Sequence, residues 1–266
     1  MSLVYGEFLL SVNPIGIPML DKNGNNVPHW IATGFVVIKN SPNDKEPYIP
    51  FIITNKHVIQ NCQKIYIKMY KGNNYEQTIN EIDIIKNDKK VYYTHCKDEV
   101  DIVAIPIFGN GIANNTVLSP INLETMSIDS YAINKEYGIG ALGVSVYMLG
   151  FPMGLVDDST SIPICRNGCI ARYTNRMSFI VDIQNYPGNS GSPIILHRNL
   201  NGKLENKLIG IVNSYIPYTE QLLNSQTKRV DMIKTENSGL ANAYSVDCIK
   251  EIVNEAYIEE ANKLNL

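Results

Sequence analysis

Apolar residues along this chain come in short runs. Stretches rich in Val, Ile, Tyr and Phe cover Thr33 to Ile38, Phe51 to Thr54, Ile65 to Tyr70 and Val100 to Ile105. They recur at Val144 to Leu149, Phe179 to Ile183, Ile194 to His197 and Leu208 to Asn213. Turn-forming residues bound each run, which is the pattern of β-strands joined by short connections. Many short strands spaced in this way predict an all-β sandwich or barrel. Asn40 to Asp44, with Ser-Pro-Asn-Asp at its end, reads as a hairpin loop. Gly109 to Gly143 is poorer in strand pattern and reads as the connection between two halves. Pro217 to Gly239 is polar and reads as a second irregular stretch, of a length that is often functional. The period changes at the end, where Ile249, Ile252, Val253, Ala256, Tyr257 and Leu264 fall at helical spacing. Ser245 suits the N-cap of that helix, and Asp247 suits the positive end of its dipole. The helix is expected to pack against the second half.

Composition narrows the function classes. A chain of 266 residues holds one large domain or two small ones. Its net charge of −3, with no clustered Lys and Arg, speaks against nucleic acid as a partner. No run approaches the roughly 18 apolar residues of a membrane span. Phe8-Leu9-Leu10 is too short for the apolar core of a secretory signal, so a cytoplasmic location is expected. Five cysteines (Cys62, Cys96, Cys165, Cys169 and Cys248) form no dense pattern and are expected to be reduced. Cys165 and Cys169 lack a second pair nearby, so no metal is expected.

Three segments carry candidate chemistry. Gly188-Asn189-Ser190-Gly191-Ser192-Pro193 sets a serine on a glycine-flanked turn. His57 follows the apolar Ile52-Ile53-Thr54, and Asp101 lies in the apolar Val100 to Ile105. The order His, Asp, Ser, with separations of 44 and 89 residues, is one of the orders known for an acyl-transfer triad. A serine hydroxyl needs a base within hydrogen-bond reach, and that base needs an orienting partner. Imidazole titrates near working pH and can be the base. Asp101, among apolar neighbours, would need a hydrogen-bonded partner, and His57 Nδ1–H would serve. Glycines at 188 and 191 permit backbone angles that aim the N–H groups of Gly188 and Ser190 into one volume, an oxyanion hole. Each motif alone also fits a plain turn or a core residue. His29, His95 and His197 have no motif context and read as structural or surface residues.

With these residues the chain resembles the trypsin-like, chymotrypsin-fold serine peptidases, in particular the disulfide-free bacterial branch that includes the Deg/HtrA type. Thr54-Asn55-Lys56-His57-Val58 is similar to that branch's histidine motif, with Val58 where secreted animal enzymes have cysteine. Asp182 and Asn185 to Gly191 resemble its nucleophile loop. Gly150 to Leu155 and Asn167 to Ile170 resemble strands and turns of its second barrel, and Leu208 to Asn213 its substrate-pairing strand. The resemblance implies two antiparallel six-stranded β-barrels with a C-terminal α-helix in one peptidase domain. The boundaries expected are 1–115 for the first barrel, 116–140 for the connection, 141–244 for the second barrel and 245–264 for the helix. It implies a serine endopeptidase with His57, Asp101 and Ser190 as its triad, Gly188 and Ser190 as its oxyanion hole, no cofactor, and a protein or peptide substrate.

The departures from the family pattern matter as much. Ser192 stands where a second glycine is usual, and a small residue there should fit. No PDZ-like segment follows, which speaks against a multidomain Deg-type chaperone-protease. Asn189 replaces the aspartate that pairs with a newly cut N-terminus in zymogen-activated relatives. The expectation is activity without N-terminal cleavage, controlled by a loop or a regulatory protein partner. Gln184, at the base of the primary pocket in the resembling family, is uncharged, and Asn213, Ser214 and Tyr215 shape that pocket's rim and wall. An uncharged side chain before the scissile bond is expected. The alternatives are a catalytically silent protease-fold binding or scaffold module, and an ester hydrolase.

Overall fold

The computed structural model describes residues 6–39, 49–71, 76–107, 121–122, 142–157, 159, 161–200 and 203–264. The Asn40 to Asp44 loop and nearly all of the Gly109 to Gly143 connection lie outside them. A short helix α1 (Gly6–Ser11) leads into β1 (Val12–Leu20), β2 (Asn26–Ile38) and β3 (Pro50–Thr54). One turn of helix, α2 (Lys56–Ile59), carries His57. Then come β4 (Lys64–Lys71), β5 (Glu76–Asp83), β6 (Ile85–Lys86), β7 (Lys89–Lys90), β8 (Tyr93–Thr94) and β9 (Val103–Pro106). After β10 (Ile121–Asn122), the second half holds β11 (Ser145–Gly150), β12 (Ile164–Tyr173), β13 (Ser178–Asp182) and β14 (Pro193–Leu200). It ends with β15 (Lys203–Leu223), β16 (Val230–Ser245) and the helix α3 (Val246–Leu264).

The second half closes into a six-stranded barrel in the order β11-β12-β13-β16-β15-β14. The first half is a barrel-like sheet of eight strands, β5-β4-β1-β2-β3-β9-β8 with β10 beside β2. The architecture is the chymotrypsin-like one, with the C-terminal helix in place. All five cysteines are free thiols. Burial pushes the Cys248 thiol up to about 11, so it stays protonated and packs as a small apolar group.

Alternation places one face of the barrel strands in a core, and the described residues form three such cores. Ile15, Val36, Ile52, Ile65, Ile67 and Ile105 fill the first half. Val146, Met148, Ile170, Val181, Ile194 and Val212 fill the second. The third lies between the halves, where Phe35, Phe51 and Ile53 meet Leu149, Phe151 and Ile211. Helix α3 seals it with Ile249, Ile252, Val253 and Ala256, the residues whose spacing predicts the helix. Both faces of β3 are therefore buried, which explains its unbroken apolar sequence.

Two expectations need correction. Pro217 to Gly239 is not irregular. It belongs to β15 and β16, which pair from Gly210↔Ser245 out to Leu223↔Val230. The polar composition of that stretch reflects the lack of any core beneath it, since nearly every side chain from Pro217 to Glu236 is exposed. Asp101 is not within a strand either, because β9 begins at Val103. It ends the loop before β9, with its side chain 24% exposed.

Gly210 marks how closely β15 and β16 approach. A Cβ there would sit 2.2 Å from the Tyr244 carbonyl oxygen and 2.8 Å from the Phe179 ring. Gly210→Ala is expected to destabilise the protein by about 1–3 kcal/mol through overpacking. The urea midpoint of the variant against the parent measures it; an unchanged midpoint would mean that the strands separate freely here.

Candidate active site

His57 is the second residue of α2, directly after β3 delivers the chain from the core. Asp101 grips it twice. One carboxylate oxygen accepts the His57 backbone N–H at 2.8 Å, and the other lies 2.5 Å from Nδ1. The Asp101 main chain is bound to the same turn, its carbonyl accepting from Asn55 Nδ2 at 2.8 Å and from the Lys56 N–H at 3.3 Å. With Nδ1 committed to the carboxylate, Nε2 is left as the acceptor. The His57 side chain is 44% exposed.

The Asp101 loop is also held from behind. Tyr244 donates its hydroxyl to the Glu99 carbonyl at 2.5 Å. The buried His95 ring accepts the Lys97 N–H at Nδ1, 3.0 Å away, which leaves Nε2–H to donate to Glu251 on α3 at 2.9 Å. His95 thus has a structural partner on each nitrogen. His197 does similar work in the second barrel, 2.8 Å from Asn206 Oδ1 and edge-on to Tyr147.

Ser190 lies on the turn before β14 and is half-buried. Thr33 ties this turn to the strand that precedes the His57 helix. The Thr33 N–H donates to the Ser190 carbonyl at 2.9 Å. Its hydroxyl donates to the Gly188 carbonyl at 2.7 Å and accepts the Phe151 N–H at 3.0 Å. Its own carbonyl accepts Thr54 Oγ1 at 2.8 Å, three positions before His57. Both glycines of the turn are required here. Gly188 (φ +97) and Gly191 (φ +86) have left-handed backbones, and a Cβ on Gly191 would meet the Thr33 carbonyl at 2.1 Å. Among the described residues His57 and Ser190 share no hydrogen bond; in unliganded sites such contacts are often open.

Met153 shapes the same turn. It adopts φ 57 and ψ 22, a left-handed conformation that costs a non-glycine residue about 1–2 kcal/mol. Its N–H donates to the Pro187 carbonyl at 2.5 Å. A trans peptide holds carbonyl and N–H on opposite sides, so this bond turns the Gly188 N–H away from Met153. Among the described residues, the amides of Gly188 and Ser190 donate to no protein acceptor.

Gly150 faces Ser192 at close range. A Cβ on Gly150 would come 2.1 Å from Ser192 Oγ and 2.8 Å from Asn189 Oδ1. Both side chains are almost wholly buried and find no partner among the described residues. Of the pocket residues expected from sequence, Gln184 lies near β16: a Cβ on Gly239 would lie 3.3 Å from Gln184 Nε2. Ser214 accepts from Asn242 Nδ2 at 3.2 Å, and Tyr215 is 40% exposed. Asn213 lines a cavity of about 360 Å³ with Glu99, Met177 and Tyr244, beside the Asp101 loop. Thr33 was not singled out by sequence, and Thr54, Asn55 and Met153 entered only inside longer motifs, with no role of their own. The readable signal for the threonines is a polar residue inside an apolar strand, which must find partners.

Comparison with known proteins agrees with the architecture. The trypsin-like peptidase domain family matches residues 32–204. A serine endoprotease from Yersinia pestis is 16% identical, covering 96% of this chain and 69% of that one, with a TM-score of 0.50. The MamO protease domain from Magnetospirillum magneticum, in its apo form, is 12% identical over 92% of this chain and 97% of that one, with a TM-score of 0.51. Likeness at these identities speaks to fold alone. No curated protein matches the sequence.

Thr33→Val keeps the shape and removes the hydroxyl, orphaning the Phe151 N–H and the Gly188 carbonyl in a buried junction. A loss of about 1–3 kcal/mol is expected, measured by chemical denaturation. A Thr33→Ser variant, which keeps the hydroxyl, should recover most of it; equal losses in both would assign the effect to packing instead.

Proposed function

The chain belongs to the trypsin-like peptidase domain family, and from that premise we propose that it is a serine endopeptidase with His57, Asp101 and Ser190 as its triad. The observation that carries this reading is the double hold of Asp101 on His57, on backbone N–H and ring together. A carboxylate placed in this way fixes the tautomer and orientation of the base. In the proposed reaction Ser190 Oγ attacks the peptide carbonyl carbon while His57 Nε2 takes the hydroxyl proton. The carbonyl oxygen becomes an oxyanion, received by the N–H groups of Gly188 and Ser190. Each such donor is worth about 3 kcal/mol in the transition state. His57 then gives its proton to the leaving amine, the amine departs, and water attacks the acyl-serine by the same route in reverse. Nothing in this sequence calls for a cofactor.

The pocket residues favour an uncharged side chain before the scissile bond, because Gln184 offers no negative charge to Lys or Arg. Asn213, Ser214 and Tyr215 are its proposed rim and wall. Asn189 carries no charge to receive a cut N-terminus, so activity without N-terminal trimming is part of the proposal.

A fluorophosphonate probe should label Ser190, and Ser190→Ala should abolish the label. Asp101→Asn should lower kcat by about ten-thousandfold, the figure that the family's template triad carries for this change. Intact protein that takes no label would sink the enzyme reading and favour a protease-fold binding module. A peptide library cleaved mainly after Arg would refute the pocket assignment.

A further inference from the structure

The β15–β16 hairpin runs well past the barrel. On the barrel, β16 is flanked by β13 only from Leu240 to Tyr244, and β15 by β14 only as far as Ile211. Beyond those points the two strands have only each other among the described residues, from Ser214 to Leu223 and from Val230 to Asn237. The tip is closed by an ordered turn, in which Asn224 Oδ1 accepts the N–H groups of Gln226 and Thr227 at 3.0 Å. Register shifts at Val212/Ser214 and Tyr215/Pro217 mark the exit from the barrel, and bulges of this kind bend a strand.

This ribbon is polar overall but exposes apolar side chains toward its tip. Tyr218, Leu222, Leu223, Val230, Met232 and Ile233 are 44% to 61% exposed. Strand register puts Tyr218, Leu222 and Met232 on one face, and Leu223, Val230 and Ile233 on the other. A two-stranded ribbon with no core is marginal in water and gains from a third strand. Each face thus carries a small exposed apolar cluster toward the tip, interrupted by the Glu220–Lys234 pair on one side, and such clusters beside an open edge are candidate contact points.

Its position says what binds. The nucleophile turn is bonded to the outer edge of β15: the Gly191 N–H donates to the Val212 carbonyl at 3.3 Å, and the Val212 N–H to the Ser192 carbonyl at 2.9 Å. Among the described residues that edge has no partner from the next position on, so it opens beside Ser190. A chain pairing antiparallel with it would run from the tip toward Ser190, laying the residues before its scissile bond along the ribbon. The open edge from Ser214 to Leu223 extends roughly 30 Å at about 3.4 Å per residue.

We propose that the free edge and exposed apolar side chains of this ribbon form an extended subsite for an unfolded substrate polypeptide with apolar residues well upstream of the cleaved bond. The inference rests on the peptidase reading for its substrate, while binding itself needs no catalysis. Pro217 lacks an N–H, so the added strand bonds on either side of it, and the exposed side chains take the apolar residues. The ribbon also reaches the pocket: Asn237 Nδ2 donates to the Asn185 carbonyl, and the Ile183 N–H to the Gly239 carbonyl at 2.8 Å. A strand docked on the ribbon therefore braces the segment that leads to Gly188.

The test uses the full chain carrying Ser190→Ala and fluorescein-labelled casein, followed by fluorescence anisotropy. Two double variants at exposed positions, Leu222→Lys with Met232→Lys and Leu223→Lys with Ile233→Lys, should each weaken casein binding about tenfold. In the Ser190 protein the same variants should leave fluorophosphonate labelling and cleavage of a short peptide ester unchanged, and slow casein cleavage. Failure of labelling would remove the peptidase reading and leave the binding arm to decide the ribbon. Undiminished casein binding in both variants, or no binding by the parent, would overturn the inference. So would a dimer of the parent that the variants dissociate while casein binding persists, since a second copy would then be the occupant.

Discussion

A single buried threonine joins the two halves at the point where the candidate chemistry lies. Each half has its own core, and the core between them is greasy and non-directional. Such packing holds two sheets together without fixing their register to a fraction of an ångström. Thr33 adds the directional part. Its N–H, carbonyl and hydroxyl, the last as both donor and acceptor, are all satisfied across or beside the junction. Each bond is worth only about 1 kcal/mol net, but leaving one unmade in a buried site costs more than making it gains. The arrangement is therefore discriminating: a small slip of one half against the other strands several buried groups at once.

The carboxylate side is fixed by a different device. Asp101 sits at the end of a loop, where a strand would have held it without help. Here the loop is tied to elements far away in the chain: Tyr244 of β16 takes Glu99, and Glu251 of α3 takes His95. Helix α3 thus closes the inter-half core with one face and reaches the loop before Asp101 from another position.

How much of this was legible in the sequence depends on where the information lies. The triad candidates could be read because each sits in a local motif whose residues have chemical reasons to be adjacent. Helix α3 could be read because its apolar period is set by one continuous face. β1 was missed because Pro14, Gly16 and Pro18 look like breakers, although the strand pairs with β2 along its whole length and bulges at Ile15/Gly16. β5 was missed because its Glu, Gln, Thr and Asn residues suit a sheet edge, and β5 ends the sheet. Thr33 reads as one polar letter in an apolar strand, and its four partners lie in segments that only folding brings together. Asp101 was set within a strand because Val100, Ile102 and Val103 surround it, yet Val100 and Ile102 are buried from a loop and β9 begins only at Val103.

The ribbon is the instructive failure. Periodicity finds strands by the core that they cover, and from Pro217 outward there is no core. What remains is pairing with a neighbour, which leaves no mark on either strand alone. Read as a pair, the two segments do show a pattern: Glu220 lies opposite Lys234, Thr219 opposite Thr235, and Leu222 opposite Met232. Cross-strand pairs of this kind stabilise a hairpin by only tenths of a kcal/mol to about 1 kcal/mol each. The apolar side chains near the tip, continuous with the edge beside Ser190 and linked to the segment behind Gly188, are what the proposed substrate strand would cover.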